Sequence, residues 1–228
     1  MNIYKGIKIL YEDNHLLVVV KPVNMLSQAD KTGDDDLLSL LKEYIKVSRQ
    51  KPGNVYLGLV HRLDRPVGGV MVFAKTSKAA SRLSEQIRDR EFEKTYLAVV
   101  CGIPDSKYGT LRNFVAKDVT KNMVYEVAEA DKRGALAILY FEVLRSIDGL
   151  SLLKINLQTG RPHQIRVQLA LAGYPIFGDQ KYGIFCKNSG EQLALHSAAL
   201  AFIHPVKGDR LEFEEDMPYS EPFKRFIR

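Results

Sequence analysis

The sequence predicts an α+β fold in which strands outnumber helices. Short apolar or alternating runs, bounded by Gly, Pro, Asn or Asp, recur along the whole chain. Strands and helices do not alternate regularly, as they would in a parallel βαβ fold. No long linker, low-complexity segment or internal repeat divides the 228 residues. We therefore expect a single domain over residues 1–228, built in two lobes.

The N-terminal elements follow from turn residues and helical spacing. Residues 7–10 and 16–20 are predicted strands, separated by a turn at 12–14 and ended by Pro22. Three aspartates at 34–36 precede apolar residues at helical spacing, which predicts an amphipathic helix whose dipole favours acids at its start. After a loop at 51–54, residues 70–74 predict a buried strand. Thr76 or Ser77 then caps a second helix bearing Ala80, Leu83 and Ile87.

The C-terminal half is predicted to be mostly strand. Strands are expected at 92–100, 110–114, 122–128, 135–144 and 150–157, with a hairpin signal at Asp148-Gly149 before the last. Residues 159–162 (Thr-Gly-Arg-Pro) predict a helix running to about residue 172, with Pro162 in its first turn and Gly173 beyond its end. Strands at 193–202 and 210–213 and a closing helix at 218–227 complete the prediction.

Composition excludes some classes of protein. Lys and Arg number 33 against 27 Asp and Glu, so the net charge is +6 and the pI is about 9.2, which favours an anionic partner. No apolar run is long enough to span a bilayer, and the first residues lack a signal-peptide pattern. We expect a cytoplasmic protein without a membrane partner. Cys101 and Cys186 lack metal-ligand spacing, so reduced thiols are expected rather than a disulfide or zinc site.

One carboxylate stands out. Between Tyr44 and Ser84 the only acidic residue is Asp64, against eight basic residues, a local net charge of 8 − 1 = +7. A carboxylate in such a field is expected to be ionised, and the field would attract a polyanion. Alone, an Asp beside an Arg is most often a surface ion pair. However, Pro66 and the two glycines that follow place Asp64 in a loop ahead of a core strand, a usual place for functional groups.

Two further segments carry candidate functional residues. His163 and Arg166 lie three apart at the predicted helix start, in a second basic stretch, where free N–H groups favour an anion. A solvated basic helix start and simple phosphate binding are the more modest interpretations. Tyr96 lies in a predicted strand, where it could pack in the core or stack on a base. The sequence contains no phosphate-loop motif, metal-ligand spacing or nucleophile elbow.

Taken together and in order, these segments resemble the RluA-type family of RNA pseudouridine synthases. The matching stretches are residues 60–75 around Asp64, 94–102 around Tyr96, 159–179 around Arg166, and the opening strands at 11–22. The chain departs from the family pattern at Val67-Gly68-Gly69, where Thr-Ser-Gly is usual, and at residues 24–29. The match begins almost at Met1, so no S4-type N-terminal domain is expected.

The resemblance implies a fold and an activity. The implied fold is a mixed, largely antiparallel sheet in two lobes, with helices flanking a central RNA-binding cleft. The implied activity is isomerisation of uridine to pseudouridine in a stem-loop of ribosomal or transfer RNA, with no cofactor or metal and a monomer as the default. By motif, Asp64 is the catalytic aspartate, Tyr96 stacks on the flipped uracil, and Arg166 pairs with Asp64.

The resemblance also implies RNA contacts. Arg62 would enter the RNA helix and fill the space that the base vacates; the other implied RNA-binding residues are His61, Arg65, Arg161, His163 and Gln164. Asp64 could attack C1′ or remove a sugar proton to give a glycal, and the sequence does not decide between these routes. Two alternatives stay open: a non-catalytic RNA-binding or chaperone protein, favoured by Val67-Gly68, and an N-glycosidic hydrolase, disfavoured by the lack of a paired acid.

Overall fold

The computed structural model describes residues 2–50, 52–183 and 191–227, and the predicted α+β fold is confirmed. The first elements are β1 (Asn2–Tyr4), β2 (Ile7–Glu12), β3 (Leu16–Lys21), α1 (Leu37–Ser48), β4 (Gly58–Leu59), β5 (Gly68–Ala74) and α2 (Ser77–Asp89). They are followed by β6 (Glu93–Cys101), β7 (Tyr108–Asp118), β8 (Met123–Val127), β9 (Ala135–Ile147), β10 (Leu150–Leu157), α3 (Gln164–Leu171), β11 (Leu195–Ile203) and β12 (Arg210–Glu214).

The chain separates into two compact units. The first comprises Met1–Lys94 and Ser197–Asp216, and the second comprises Thr95–His196 and Met217–Arg228. Both units are built from distant parts of the sequence, so neither boundary is a linker. Whether residues 1–228 act as one catalytic domain stays a prediction.

The first unit is a sheet with its core around β3 and β5. Strands β1, β2, β3 and β5 pair antiparallel in that order, and β11 lies next to β5. Every residue of β5 is buried. Side chains such as Val18 and Val72 pack with Leu83 of α2 and with the ring of Phe202, which stacks on the ring of Phe92. This packing holds the strand that follows the Asp64 loop.

Gly69, at the start of β5, is a position where only glycine fits. Its φ is +118°, and a Cβ there would lie 2.1 Å from the backbone oxygen of Ser197. The glycine pair that the sequence placed after the Asp64 loop therefore serves close packing between backbones as well as the turn.

Both helices of the first unit begin where the sequence predicts: α2 follows its predicted cap, Thr76, and α1 follows the run of three aspartates directly. The side chain of Asp36 accepts a hydrogen bond from the Ser39 N–H at the start of α1, at 3.0 Å. Thr76 does the same for the Ala79 N–H at the start of α2, at 3.2 Å. Each side chain satisfies a donor that the helix itself leaves unpaired.

The second unit is an antiparallel sheet with α3 packed against it. Strands pair in the order β6, β10, β9, β7, β8. Val167 of α3 packs on Val115, Val124 and Ala137. The buried Gln168 amide donates to the Ala137 carbonyl at 3.2 Å, so α3 is held to the strands by polar contacts as well as by apolar packing.

Two helix predictions in the second unit need correction. Helix α3 begins at Gln164, not at the predicted first turn around Pro162, because His163 adopts a left-handed conformation with φ +50° just before it. The closing helix predicted at 218–227 is a single 3-10 turn, Phe223–Phe226. Pro222 supplies no N–H and Pro218 lies four residues before it, so a longer helix would lack donors.

The expectation of a reduced thiol is also wrong for Cys101. Cys101, at the end of β6, is disulfide-bonded. The only other cysteine in the sequence is Cys186, which lies outside the described residues. Among the described helices, none combines the length and apolarity needed to cross a membrane.

Candidate active site

The Asp64 loop runs from β4 to β5 and is held by hydrogen bonds to its backbone. Asp64 is half-buried, and its carbonyl accepts the Val67 N–H at 2.9 Å, which closes the turn. The buried hydroxyl of Ser27 donates to the Leu63 carbonyl at 2.7 Å and accepts from the Leu63 N–H at 3.2 Å. One side chain therefore satisfies both backbone groups of the residue that precedes Asp64.

Lys21 supports the other side of the loop. Its ammonium donates to the carbonyls of Arg65 at 3.1 Å, Met25 at 2.6 Å and Pro22 at 2.9 Å, and the residue is 1 % exposed. Burial lowers the pKa of Lys21 to about 7, and the Arg65 charge acts in the same direction, while the Asp64 charge opposes them. Three carbonyl acceptors match the three N–H donors of an ammonium, so this geometry favours the charged form.

His61 serves the fold as a neutral ring. Its Nε2 accepts the Val72 N–H of β5 at 3.1 Å, and its ring lies 5.6 Å from that of Phe92. Burial, reinforced by the charge of Lys94, lowers the pKa of His61 to about 3. A neutral imidazole whose Nε2 is engaged offers no positive charge to a phosphate, and the predicted RNA contact of His61 stays a prediction.

The two arginines beside Asp64 differ in their surroundings. Arg62 is exposed, and among the described residues its side chain makes no ion pair. Arg65 is also exposed but is engaged, because its Nε donates to the Asn24 carbonyl at 3.2 Å and its Nη1 to Asp34 at 2.6 Å. Arg62 is therefore presented to solvent, whereas Arg65 also ties the loop to residues 24–34.

Tyr96 and Arg166 both belong to the second unit. Tyr96 lies in β6 opposite Ile155 and is 7 % exposed. Arg166 lies in the first turn of α3 and is 5 % exposed. The interpretation of this region as a solvated basic helix start is wrong for Arg166, because its guanidinium is buried against Asp179.

Arg166 and Asp179 form a bidentate ion pair. Nε of Arg166 donates to Oδ2 of Asp179 at 2.8 Å, and Nη2 donates to Oδ1 at 2.7 Å. Oδ1 also accepts the N–H groups of Lys181 and Tyr182, and the Tyr182 ring centroid lies 5.3 Å from the guanidinium carbon. Burial alone would raise the pKa of the Asp179 carboxyl, but the Arg166 hydrogen bonds and charge outweigh it and lower that pKa.

Three predicted RNA-binding residues that precede Arg166, namely Arg161, His163 and Gln164, are held by hydrogen bonds to the surrounding structure. Nδ1 of His163 lies 2.7 Å from the Tyr182 hydroxyl, and the exposed Arg161 donates through Nε to the Leu136 carbonyl at 3.0 Å. Gln164 is buried; its side-chain oxygen accepts the Arg161 N–H and its amide donates to the Ile138 carbonyl. The RNA contacts predicted for these residues stay predictions, and Gln164 also has a clear structural use.

Four residues that contact the predicted site escaped sequence reasoning: Lys21, Ser27, Asp179 and Tyr182. In the sequence, Lys21 falls only within the opening segment at 11–22, and Ser27 falls within the departure from the family pattern at 24–29. Asp179 lay within the third matching segment but received no role. A lysine at the end of an apolar strand was the one available signal, since it is seldom fully buried without partners.

The first unit thus presents a half-buried carboxylate on a braced loop, with Arg62 exposed beside it. A carboxylate held in this way can act as a nucleophile or a base at a sugar carbon. In the part of the chain that the structure describes, no cluster of three or more His, Cys, Asp or Glu side chains could hold a metal ion.

Comparisons with known proteins agree on one family. Residues 15–171 match the model of a family described as RNA pseudouridylate synthase. The chain is 35 % identical over 227 residues to Ribosomal large subunit pseudouridine synthase C of Buchnera aphidicola from Acyrthosiphon pisum, covering 96 % of this chain and 69 % of that protein. It is 32 % identical over 222 residues to Ribosomal large subunit pseudouridine synthase D of Zymomonas mobilis, covering 93 % and 69 %.

The solved structures show the same fold. Human RNA Pseudouridylate Synthase Domain Containing 4 is similar with a TM-score of 0.78 and 24 % identity, covering 92 % of this chain and 88 % of that one. Human RNA Pseudouridylate Synthase Domain Containing 1 has a TM-score of 0.76 and 20 % identity, covering 98 % and 89 %.

Proposed function

This chain belongs to the RNA pseudouridylate synthase family, and from that membership we propose that it converts specific uridines of large-subunit ribosomal RNA to pseudouridine through Asp64. The chain is an RNA pseudouridine synthase enzyme. The names of these two relatives refer to the ribosomal large subunit, which favours ribosomal over transfer RNA as the substrate.

The reaction is an isomerisation that needs a flipped base. The bond between N1 of uracil and C1′ of ribose breaks, the uracil turns, and C5 bonds to C1′. C5 loses its proton and N1 gains one, so no atom is added or lost overall. A stacked uridine must first leave the helix, at a cost of about a few kcal/mol, which phosphate contacts on a cationic surface offset.

The observation that carries the proposal is the support of Asp64 from both neighbouring residues. Ser27 binds the backbone of Leu63, and Lys21 binds the carbonyl of Arg65. Buried polar groups on both sides restrict where the carboxylate can move, as a group that must meet a sugar carbon requires. The nucleophilic route and the glycal route both start from this carboxylate.

The second unit supplies the other proposed catalytic groups. We assign Tyr96 to stacking on the flipped uracil, because an aromatic ring can hold any base by its face. We assign Arg166 to pairing with Asp64, because an opposite charge keeps a partly desolvated carboxylate ionised. Arg62 is assigned to the RNA helix, which suits its exposed side chain.

The test measures proton release from C5. Large-subunit ribosomal RNA transcripts labelled with tritium at C5 of uridine are incubated with wild type and with Asp64→Asn, which keeps the shape but removes the charge. We expect tritium release by wild type and at least about a 10³-fold slower release by Asp64→Asn. Asp131→Asn is the control, since Asp131 is an aspartate paired with Arg133 in an exposed turn away from the proposed reacting groups.

Three outcomes would contradict the proposal. Equal release by wild type and Asp64→Asn would remove Asp64 from the chemistry. Free uracil as the product would favour a hydrolase. Substrate choice is tested by mapping pseudouridine in RNA from cells with and without the gene; sites lost only from transfer RNA would contradict the ribosomal assignment.

A further inference from the structure

We infer that Asp179 and Tyr182 are positioning residues for Arg166, holding its guanidinium in the orientation that the reaction requires. This inference rests on the proposed function, in which Arg166 pairs with Asp64. It extends that function to two residues outside the proposed reacting groups. Asp179 acts within the plane of the guanidinium and Tyr182 acts across its face.

Asp179 fixes the in-plane orientation of Arg166. The two hydrogen bonds of 2.8 and 2.7 Å engage Nε and Nη2, which lie on one edge of the guanidinium. Two parallel bonds prevent rotation of the group in its own plane, which a single bond would allow. The remaining N–H donors, on Nη1 and on the outer side of Nη2, point away from Asp179, and the inference assigns these donors to the pairing with Asp64.

The Asp179 carboxylate is itself held in place. Its Oδ1 accepts the N–H of Lys181 at 2.9 Å and that of Tyr182 at 3.1 Å, and its side chain has no exposed surface. The backbone on either side also contributes, since the Asp179 N–H donates to the Ile176 carbonyl and the Gly183 N–H to the Asp179 carbonyl. The carboxylate is therefore a rigid reference point for the arginine.

Tyr182 fixes the guanidinium in the perpendicular direction. Its ring centroid lies 5.3 Å from the Arg166 guanidinium carbon, a cation–π distance. Its hydroxyl accepts the Val124 N–H of β8 at 2.8 Å and lies 2.7 Å from Nδ1 of His163. The ring is thus anchored to the sheet at one end and supports the arginine with its face.

A purely structural role for the pair would not require this arrangement. A buried ion pair is often no more stabilising than apolar residues of the same size, because both charges lose their hydration. Here the Tyr182 ring also contacts the guanidinium, and two backbone N–H groups bind the carboxylate. These contacts restrain the orientation of the two charged groups more than they strengthen the attraction between them. A displacement of about 1 Å in a reacting group can slow a reaction about 100-fold, so restraint of this kind matters for rate.

The experiment compares Asp179→Asn in two backgrounds by tritium release over a range of RNA concentrations up to saturation, well below the unfolding temperature of each variant. In the wild-type background we expect kcat to fall about 100-fold with KM changed less than about threefold, because Asp179 is expected to touch no RNA. In an Arg166→Lys background, which cannot form the bidentate pair, we expect Asp179→Asn to lower kcat less than about threefold further.

Two more variants complete the test. Asp131→Asn removes a carboxylate that also binds an arginine, Arg133, through both oxygens and a backbone N–H, but in an exposed turn, and should leave kcat unchanged. Tyr182→Phe keeps the ring and removes the hydroxyl, and we expect kcat to fall about tenfold with KM unchanged. It provides the test if Asp179→Asn does not fold.

The outcomes separate this inference from the proposed function. An unchanged kcat for Asp179→Asn or for Tyr182→Phe would overturn the inference, and so would an equal loss from Asp179→Asn in both backgrounds. If Asp64→Asn remains active, the proposed function itself fails. If wild type is active, Asp64→Asn is inactive and Asp179→Asn is as fast as wild type, only the positioning role fails.

Discussion

Removing the Ser27 hydroxyl should both destabilise the protein and slow it. The hydroxyl donates to the Leu63 carbonyl at 2.7 Å and accepts the Leu63 N–H at 3.2 Å, and both residues are buried. In Ser27→Ala both backbone groups lose their partner. A buried polar group left unsatisfied costs about 1–3 kcal/mol, so the two together are expected to cost about 2–6 kcal/mol.

This loss in the free energy of unfolding should appear as a lower unfolding temperature. For a chain of this size, 1 kcal/mol lowers the unfolding temperature by about 2–4 °C, so Ser27→Ala should melt at least about 4 °C below wild type. Because Leu63 precedes Asp64, a loosened loop should also lower kcat about tenfold in the tritium-release assay. Thermal unfolding followed by circular dichroism, with kcat measured well below both transitions, gives the two numbers.

Ser81→Ala is the matched control, because Ser81 is exposed on α2 and the same atom is removed. Its unfolding temperature and kcat should equal those of wild type. A Ser27→Ala protein that melts within about 1 °C of wild type and keeps its kcat would refute the reasoning. It would mean that the Leu63 backbone finds other partners and that the loop does not depend on Ser27.

Three further predictions concern pH, RNA binding and backbone packing. Burial lowers the pKa of His61 to about 3 and that of His196 to about 4, against 6.5 in the unfolded chain. At pH 5 the unfolded chain therefore binds two protons that the folded chain does not, and stability should fall by about 4 kcal/mol between pH 8 and pH 5, as measured by urea unfolding. Arg62→Ala should weaken RNA binding and reduce the slope of log K against log salt by about 1, as measured by filter binding. Gly69→Ala should prevent folding or lower the unfolding temperature by more than about 10 °C, because the new Cβ would lie 2.1 Å from the Ser197 carbonyl oxygen.

Each of these three predictions would be contradicted by one specific result. Constant stability from pH 8 to pH 5 would show that the two histidines are not kept neutral by the fold. An unchanged salt slope for Arg62→Ala would show that its guanidinium meets no phosphate. A folded Gly69→Ala protein with wild-type stability would show that β5 can move away from Ser197.

Local features of the chain were predictable because local chemistry produces them. The caps at Asp36 and Thr76 follow from short polar side chains next to apolar helical spacing. The loop position of Asp64 follows from Pro66 and the glycines behind it. The lone acid in a basic stretch and the ordered family segments pointed to the family, and the comparisons confirmed it. The α+β class followed from counting strands.

Contacts between distant residues were decided by the tertiary structure alone. Lys21 is fully buried because the fold places three carbonyls around its ammonium, one of them 44 residues away. Asp179 meets Arg166 because the turn after α3 returns to the helix start, and Gln164 is buried because β9 supplies a carbonyl to its amide. A local pattern predicts which side chains are polar, but only the packed chain determines which of them receive partners and can therefore be buried.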